Sequence, residues 1–209
     1  MYSRLCTARG IIPMNAAGPL ISHIQKSVPL TEEDVALITA AFTLKKIKKK
    51  QIIIQPGFPA PYRNYVVKGA FRAYVIGENG EEHTIQLAIE DWWISDYNAY
   101  INRQPATMFV TALEDSVILQ TSYDQMEQLK NASPAFKTFL LIRGERTAAF
   151  QQRRLIASLT QSAEQRYNDF INQYPLLAQR IPQYVLASYL GMSTEFLSRI
   201  RNNKLKKKS

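Results

Sequence analysis

The hydrophobic pattern of the chain changes near residue 122 from short strands to helices, and this change limits the folds that the chain can adopt. Between residues 51 and 121, short β-branched or alternating runs end at turn residues such as Pro56-Gly57 and Asn79-Gly80. From residue 123 onward, apolar residues recur at helical spacing instead. Strands followed by helices predict an α+β fold, with an antiparallel β-barrel first and a helical part after it.

Six short strands are predicted in the first part, and their close spacing indicates a barrel or a sandwich. Asn79-Gly80 lies between two of them and indicates a β-hairpin. A helix is predicted before the strands, over residues 31–42, with Thr31 as its N-cap. The predicted strands cover residues 51–55, 64–67, 71–76, 83–89, 108–112 and 117–120.

The excess positive charge is confined to the helical part. The 209 residues carry 26 Lys+Arg and 17 Asp+Glu, for a formal net charge of +9. Residues 1–132 hold 13 of each sign, whereas residues 133–209 hold 13 Lys+Arg and only 4 Asp+Glu. A basic tail, Lys204 to Lys208, explains four of these charges and leaves five. The asymmetry indicates a neutral module joined to one that contacts nucleic acid or another polyanion.

The cysteines, the histidines and the hydropathy exclude several other classes of protein. With Cys6 alone, the chain cannot form an internal disulfide, a four-cysteine zinc site or a four-cysteine iron–sulfur cluster. With only His23 and His83, one chain cannot build a three-histidine metal site. No apolar run reaches the roughly 18 residues that a membrane span needs, so we expect no membrane partner. These features predict a reduced cytoplasmic protein with no metal site.

A helix without internal proline is predicted over residues 134–158, and its apolar residues form two adjacent columns. Each column repeats every seven residues, which places an apolar seam along one side of the helix. We expect this seam to join two copies of the chain; packing against the chain's own β domain is the alternative. The columns consist of Leu141, Ala148 and Leu155, and of Ile142, Ala149 and Ile156.

Residues 183–202 fit a helix-turn-helix. Ala187 is small enough for a second helix to cross close above it, and Gly191 has the backbone freedom that the turn needs. Ser193 is a suitable N-cap for the second helix. A helical hairpin with a polar outer face but no DNA is the alternative, and the basic surroundings favour DNA. The apolar residues expected to hold the two helices together are Leu186, Leu190, Met192, Leu197 and Ile200.

Burial of Leu197 and Ile200 would turn the opposite face of the second helix outward. Arginine can donate two hydrogen bonds to guanine, glutamate can accept one from cytosine N4, and serine or threonine can bond bases or phosphates. We expect Arg201 and Lys204 to contact phosphates. The other residues expected to contact DNA are Ser193, Thr194, Glu195, Ser198, Arg199 and Asn202.

The order of barrel, long helix and helix-turn-helix resembles the Crp/Fnr superfamily of bacterial transcription regulators, over about residues 20–203. The most specific stretch is SYLGMSTEFLSRIR, residues 188–201. In that family the recognition helix carries an Arg-Glu pair and a second Arg four residues after the Glu. Here Glu195 and Arg199 fill the last two places, and Thr194 stands at the first, so we expect a different target sequence. The resemblance implies a jelly-roll sensor domain and a homodimer on double-stranded DNA, and it leaves RNA polymerase open as a partner.

The sensor part departs from the family's cyclic-nucleotide cassette. Ligand-binding members carry Gly-Glu and, about ten residues later, Arg-Ser/Thr-Ala. By that resemblance Ser95-Asp96 falls on Gly-Glu, Ala106 on the arginine and Thr107 on the Ser/Thr position. Alanine cannot neutralise a phosphate, so we do not expect cyclic AMP to bind, and the sequence identifies no other small-molecule effector. The candidate ligand pocket would consist of Asp96, Arg103, Ala106 and Thr107, in which Arg103 is the only cation.

The chain is therefore expected to have four parts: a disordered extension over 1–19, a sensor domain over 20–132, a dimerisation helix over 133–158 and a helix-turn-helix domain with a basic tail over 159–209. The expected function is sequence-specific transcription regulation without catalysis. A ligand sensor that regulates a protein partner would explain the first part of the chain but not the charge of the last. A cupin-type enzyme would need several histidines beside a carboxylate, and the chain has two histidines in all.

Overall fold

A computed structural model describes residues 17–206 of the chain, with side chains described as far as Asn203. Helices precede, flank and follow a pair of β-sheets. The strands are β1 (Thr43–Ile47), β2 (Ile52–Ile54), β3 (Tyr62–Lys68), β4 (Phe71–Ile76), β5 (Glu82–Ala88), β6 (Trp93–Ile94), β7 (Phe109–Ala112) and β8 (Ser116–Ser122). The helices are α1 (Gly18–Gln25), α2 (Glu32–Ala41), α3 (Tyr97–Asn102), α4 (Tyr123–Ala132), α5 (Pro134–Thr160), α6 (Ala163–Gln173), α7 (Pro175–Arg180), α8 (Gln183–Leu190) and α9 (Thr194–Lys206).

The strands form two antiparallel sheets, in the orders β1-β8-β3-β6 and β2-β7-β4-β5. Aliphatic and aromatic residues from both sheets make one buried cluster between them, which includes Val66, Phe71 and Ile118. The predicted hairpin is β4–β5, in which Ile76 pairs with Glu82. The mixed fold and all six predicted strands are confirmed, and no strand boundary is shifted by more than two residues.

A second apolar cluster joins the helices that flank the barrel to the outer face of the first sheet. Phe136 and Phe139, at the start of α5, lie fully buried in this cluster with Tyr65 of β3. The predicted N-cap of α2 is also confirmed, because Thr31 and Asp34 form a reciprocal capping box. The start of the long helix is therefore fixed to the sensor domain, and the rest of α5 extends away from this cluster.

The boundary of the predicted N-terminal extension needs correction. Residues 1–16 lie outside the described residues, but Ala17 is fully buried and α1 begins at Gly18. Leu20 and Ile24 of α1 enter the same cluster as Phe136, so the helix is part of the sensor domain. The prediction was wrong for residues 17–19, because this segment is buried by residues that are distant in the chain and that the local sequence does not reveal.

Candidate nucleic-acid interface

The last two helices, α8 and α9, form the predicted helix-turn-helix. Gly191 adopts a left-handed conformation with φ of 67°, and the Met192 amide donates to the Ala187 carbonyl at 3.0 Å. Ala187 is 1% exposed beneath the turn. A residue with a Cβ would be strained at this positive φ, so glycine is what allows the chain to reverse here.

Two buried residues fix the orientation of α9. Leu197 is 0% exposed and Ile200 is 6% exposed, and both lie in the cluster formed by α6, α7, α8 and α9. Ser193 caps the helix as predicted, since its Oγ accepts from the Phe196 amide at 3.2 Å. With these positions fixed, the opposite side of α9 faces away from the domain core.

The residues predicted to contact DNA are distributed along that outer side. Glu195, Arg199, Arg201 and Asn202 are exposed, and so is the cap residue Ser193. Thr194 and Ser198 are half-buried and flank the exposed row. The side chain of Lys204 lies outside those described. Neither Arg199 nor Arg201 forms an ion pair with any side chain in residues 17–203, so both guanidinium groups are available to a partner.

The carboxylate of Glu195 is held in its charged form. A backbone hydrogen bond from its own amide, the Ser193 hydroxyl and the positive charge of Arg199 all lower the pKa of Glu195 below its ordinary value. An ionised glutamate is a hydrogen-bond acceptor only, which matches the exocyclic amine of cytosine in the major groove.

One aromatic residue on α9 was missed by the sequence reasoning. Phe196 is 38% exposed, and the Arg199 guanidinium carbon lies 5.3 Å from the centre of its ring. The spacing of three residues between them could have indicated the contact.

The helix-turn-helix domain docks on the sensor domain through β5. The Ser188 hydroxyl of α8 accepts from the Thr84 amide at 2.8 Å and donates to the Glu82 carbonyl at 2.6 Å. Leu87 of β5 is 2% exposed and lies within the apolar cluster of the helical domain. The exposed edge of the second sheet is thereby covered by α8.

Two arginines add polar contacts to this docking. Arg154 of α5 donates to the Ile85 carbonyl of β5 and, at 3.3 Å, to the Tyr189 carbonyl of α8. Arg180, at the end of α7, forms ion pairs with Glu90 and Glu114 of the sensor domain. All three structural parts therefore meet at β5, a contact that no local sequence signal had indicated.

Beyond its buried start, α5 carries an exposed apolar side. Leu141, Leu155 and Ile156 are 64%, 60% and 54% exposed, and Leu159 is 77% exposed. Of the six residues predicted at the dimer interface, Ala148 and Ala149 are exposed as well. Ile142 differs, because it is half-buried and packs on the sensor cluster of its own chain. Gly144 leaves space for a neighbouring side chain, because a methyl group added there would meet no other part of the chain within 4 Å.

The four residues of the candidate ligand pocket are not brought together as a binding site. Asp96 is fully buried, caps α3 through the Ala99 amide, and accepts from both the amide and the hydroxyl of Thr107. Burial alone would raise the pKa of Asp96, but these hydrogen bonds outweigh it and hold the pKa below its ordinary value. Arg103 faces outward and pairs with Asp124 at 2.8 Å. Ala106 is buried and carries no charge, and Asp96 forms no ion pair with any side chain in residues 17–203.

A separate cleft of about 250 Å³ opens between β5 and α5. Its lining includes Arg143, Arg146 and Arg154 together with Trp92, and it includes no carboxylate among the residues that the structure describes. In the same part of the chain, Nε of Arg143 is buried without a hydrogen-bond partner. The charge of the cleft suits an anionic molecule better than a cation.

No helix within residues 17–206 is both long and apolar enough to cross a membrane. Within the same residues, no group of three or more His, Cys, Asp or Glu side chains is arranged to hold a metal ion.

The arrangement defines a class of protein: a cyclic nucleotide-binding-like barrel joined by a long helix to a helix-turn-helix. Residues 44–133 match the family model described as the cyclic nucleotide-binding domain. The chain is 22% identical over 192 residues to the anaerobic regulatory protein of Pasteurella multocida, covering 86% of this chain and 70% of that protein. It is 23% identical over 195 residues to the regulatory protein HlyX of Actinobacillus pleuropneumoniae, covering 86% and 79%.

Solved structures show the same fold. The c-di-GMP responsive global regulator CLP of Xanthomonas campestris superposes with a TM-score of 0.69 at 13% identity, over 83% of this chain and 91% of that chain. A CooA mutant from Carboxydothermus hydrogenoformans gives 0.68 at 17% identity, over 88% and 83%. FixK2 of Bradyrhizobium japonicum gives 0.65 at 16% identity, over 79% and 85%. By the domain match, the two relatives and the shared fold, the chain is similar to transcription regulators of the Crp/Fnr type.

Proposed function

We propose that this chain is a sequence-specific DNA-binding transcription regulator that acts as a homodimer in the cytoplasm and catalyses no reaction. The observation that carries the proposal is the outer side of α9. Leu197 and Ile200 anchor the helix, and the exposed row opposite them includes Glu195, Arg199 and Arg201. This row combines an acceptor for cytosine, a bidentate donor for guanine and a cation for the phosphate backbone.

The charge distribution supports DNA as the partner. All of the net +9 lies in residues 133–209, the part that contains α9. Further phosphate contacts, which do not depend on the DNA sequence, would come from Lys204 in α9 and from Lys207 and Lys208 after it. Polar side chains that contact bases, next to cations that contact phosphates, distinguish specific from non-specific DNA binding.

The homodimer is proposed from the exposed apolar side of α5. A helix of 27 residues spans about 40 Å, long enough for two copies to pair along their apolar sides beyond the sensor domain. Two-fold pairing would place two copies of α9 about 34 Å apart, on successive turns of the major groove. The target is then a pseudo-palindrome whose half-sites are one helical turn apart.

The sensor domain is proposed to act without cyclic AMP. The buried Asp96–Thr107 pair is satisfied by its own chain, and Ala106 supplies no charge to a phosphate. A ligand that binds the barrel would act on α9 through α5 and through the docking on β5. This requires that the ligand binds the two arrangements of the helices with different affinity. RNA polymerase remains a proposed partner on the resemblance alone.

The experiment that tests the proposal is selection of bound DNA from a pool of random duplexes of about 30 base pairs, three helical turns, by the full chain. The proposal predicts enrichment of one pseudo-palindromic motif. Light scattering on the complex would give two chains per duplex. Recovery of unrelated sequences with no shared motif would contradict it, and recovery of a single half-site would contradict the homodimer. A matched control is Arg199→Ala, for which the enriched motif should lose information at one base pair of each half-site.

A further inference from the structure

Phe196 is a partly exposed aromatic side chain at the edge of the outer side of α9. It lies in the first turn of α9 and is 38% exposed, and it is the only large apolar side chain exposed on the part of α9 whose side chains are described. Leu197 and Ile200 already supply the buried contacts of this helix. The Phe196 amide is satisfied by Ser193, so the side chain is not needed to complete the cap.

The ring lies beside the residues proposed to contact bases. Successive residues of a helix are rotated by about 100°, so Phe196 lies between the row that Glu195 and Arg199 form and the buried side, at the edge of that row. The Arg199 guanidinium stands over the ring, 5.3 Å from its centre. This cation–π contact restricts the arginine, which otherwise has a long and freely rotating side chain in water.

An aromatic ring that enters the major groove can contact one apolar group on the DNA bases. Thymine carries a C5-methyl on the groove surface, whereas cytosine and the purines present mainly hydrogen-bonding groups. Phe196 can remove such a methyl from water without leaving any polar group unsatisfied, because the edge of the ring has no donor or acceptor.

We propose that Phe196 is a specificity-determining residue: its ring contacts the C5-methyl of a thymine next to the guanine that Arg199 reads, and it holds the Arg199 guanidinium in position for that guanine. This inference rests on the proposed function, because it requires α9 to enter a major groove. It predicts that each half-site contains a thymine next to the guanine, on either strand.

The test perturbs the DNA first, so that no protein variant is needed. In the selected duplex, each thymine next to the guanine is replaced by deoxyuridine, which lacks only the C5-methyl. The wild-type chain should bind the uracil duplex about three- to fivefold more weakly per half-site, the loss expected for one buried methyl group. Replacing the thymine–adenine pair by 5-methylcytosine–guanine should retain more affinity than replacing it by cytosine–guanine, because the methyl is kept.

Protein variants then separate the two roles of the ring. Phe196→Ala should bind the thymine and uracil duplexes equally and should also lose preference for the neighbouring guanine. Phe196→Leu should keep the preference for thymine over uracil but lose part of the guanine preference, because leucine has no ring for Arg199. Leu176→Ala is the control, since Leu176 is 71% exposed on α7 and should change neither preference.

Each outcome bears on the inference. Equal binding of thymine and uracil duplexes by the wild-type chain would overturn it while leaving the proposed function intact. An unchanged thymine preference in Phe196→Ala would do the same. If the random pool yields no motif at all, both the proposed function and the inference are wrong.

Discussion

Removal of the Arg180 side chain should loosen the contact between the helix-turn-helix domain and the sensor domain. Nη1 of Arg180 donates to Oε2 of Glu90 at 2.7 Å, and Nη2 donates to Oε1 of Glu90 at 3.1 Å and to Glu114. The Arg180 side chain is 30% exposed and those of the two glutamates are 38% and 37% exposed, so solvent screens these pairs in part. Exposed pairs contribute about 0.2–1 kcal/mol each, and bidentate geometry adds to that. We therefore expect Arg180→Ala to weaken docking by about 1–2 kcal/mol.

The Thr84 amide provides a local assay, because it donates to Ser188 across the docked surface. Loss of about 1–2 kcal/mol should speed the hydrogen exchange of this amide by about 5- to 30-fold, provided that exchange occurs through undocking. Arg103→Ala is the matched control, since it removes an exposed ion pair that lies within the sensor domain. Unchanged exchange at Thr84 in Arg180→Ala, or an equal change in Arg103→Ala, would refute the assignment of Arg180 as a docking contact.

The same contact should depend on pH. Burial alone would raise the pKa of Glu90, but hydrogen bonds from Arg180 and the Gly69 amide outweigh it and hold the pKa below its ordinary value. A carboxylate whose pKa is lowered on docking stabilises the docked form at pH values above the ordinary glutamate pKa of about 4.3. This stabilisation is lost as the pH falls through the lowered pKa. Thr84 exchange, corrected for its intrinsic rate, should therefore show constant protection from about pH 7 to about pH 5 and less protection below that.

Three other perturbations test the proposed dimer, the helical domain and the sensor domain. Leu141→Asp with Leu155→Asp should give a monomer by light scattering, because both side chains are more than half exposed on α5, whereas Leu176→Asp should remain dimeric. Leu197→Ala should destabilise the helical domain by about 2–5 kcal/mol and abolish DNA binding, while the melting of the barrel stays unchanged; an unchanged helical signal on heating would contradict this. Millimolar cyclic AMP should leave the melting temperature unaltered, and a rise of several degrees would show that the Asp96 region holds a phosphate after all.

The parts of the structure that sequence reasoning predicted are those with local signals. The turn of the helix-turn-helix was predictable because its signals lie within ten residues of one another. They are the turn glycine Gly191, the N-cap Ser193 and the apolar pair Leu197 and Ile200. The hairpin at Asn79-Gly80 was predictable for the same reason. Strand β1 was missed because lysines are frequent in it and follow directly after it, and only pairing with β8 reveals it as an edge strand.

Contacts between distant segments left no such signal. Ser188 resembles any polar residue of a helix, and its partners on β5 are more than 100 residues away in the chain. Arg180 counted only toward the net charge, although it pairs with two carboxylates of the sensor domain. The candidate ligand pocket was placed from a motif position alone, and packing instead satisfies Asp96 through Thr107. Charge and spacing thus identified the surface proposed to face DNA, whereas domain docking depends on geometry that only the folded chain provides.

A competition titration measures whether α9 reads a DNA sequence. The full chain would be titrated with its selected duplex and with an unrelated duplex of equal length, at one salt concentration, alongside Arg199→Ala. We expect a wild-type preference of about a thousandfold or more for the selected duplex. In Arg199→Ala this preference should fall by about 5- to 150-fold per half-site, corresponding to about 1–3 kcal/mol for each Arg199, with little change on the unrelated duplex. Equal affinity of the wild-type chain for the two duplexes would show that α9 does not read a DNA sequence.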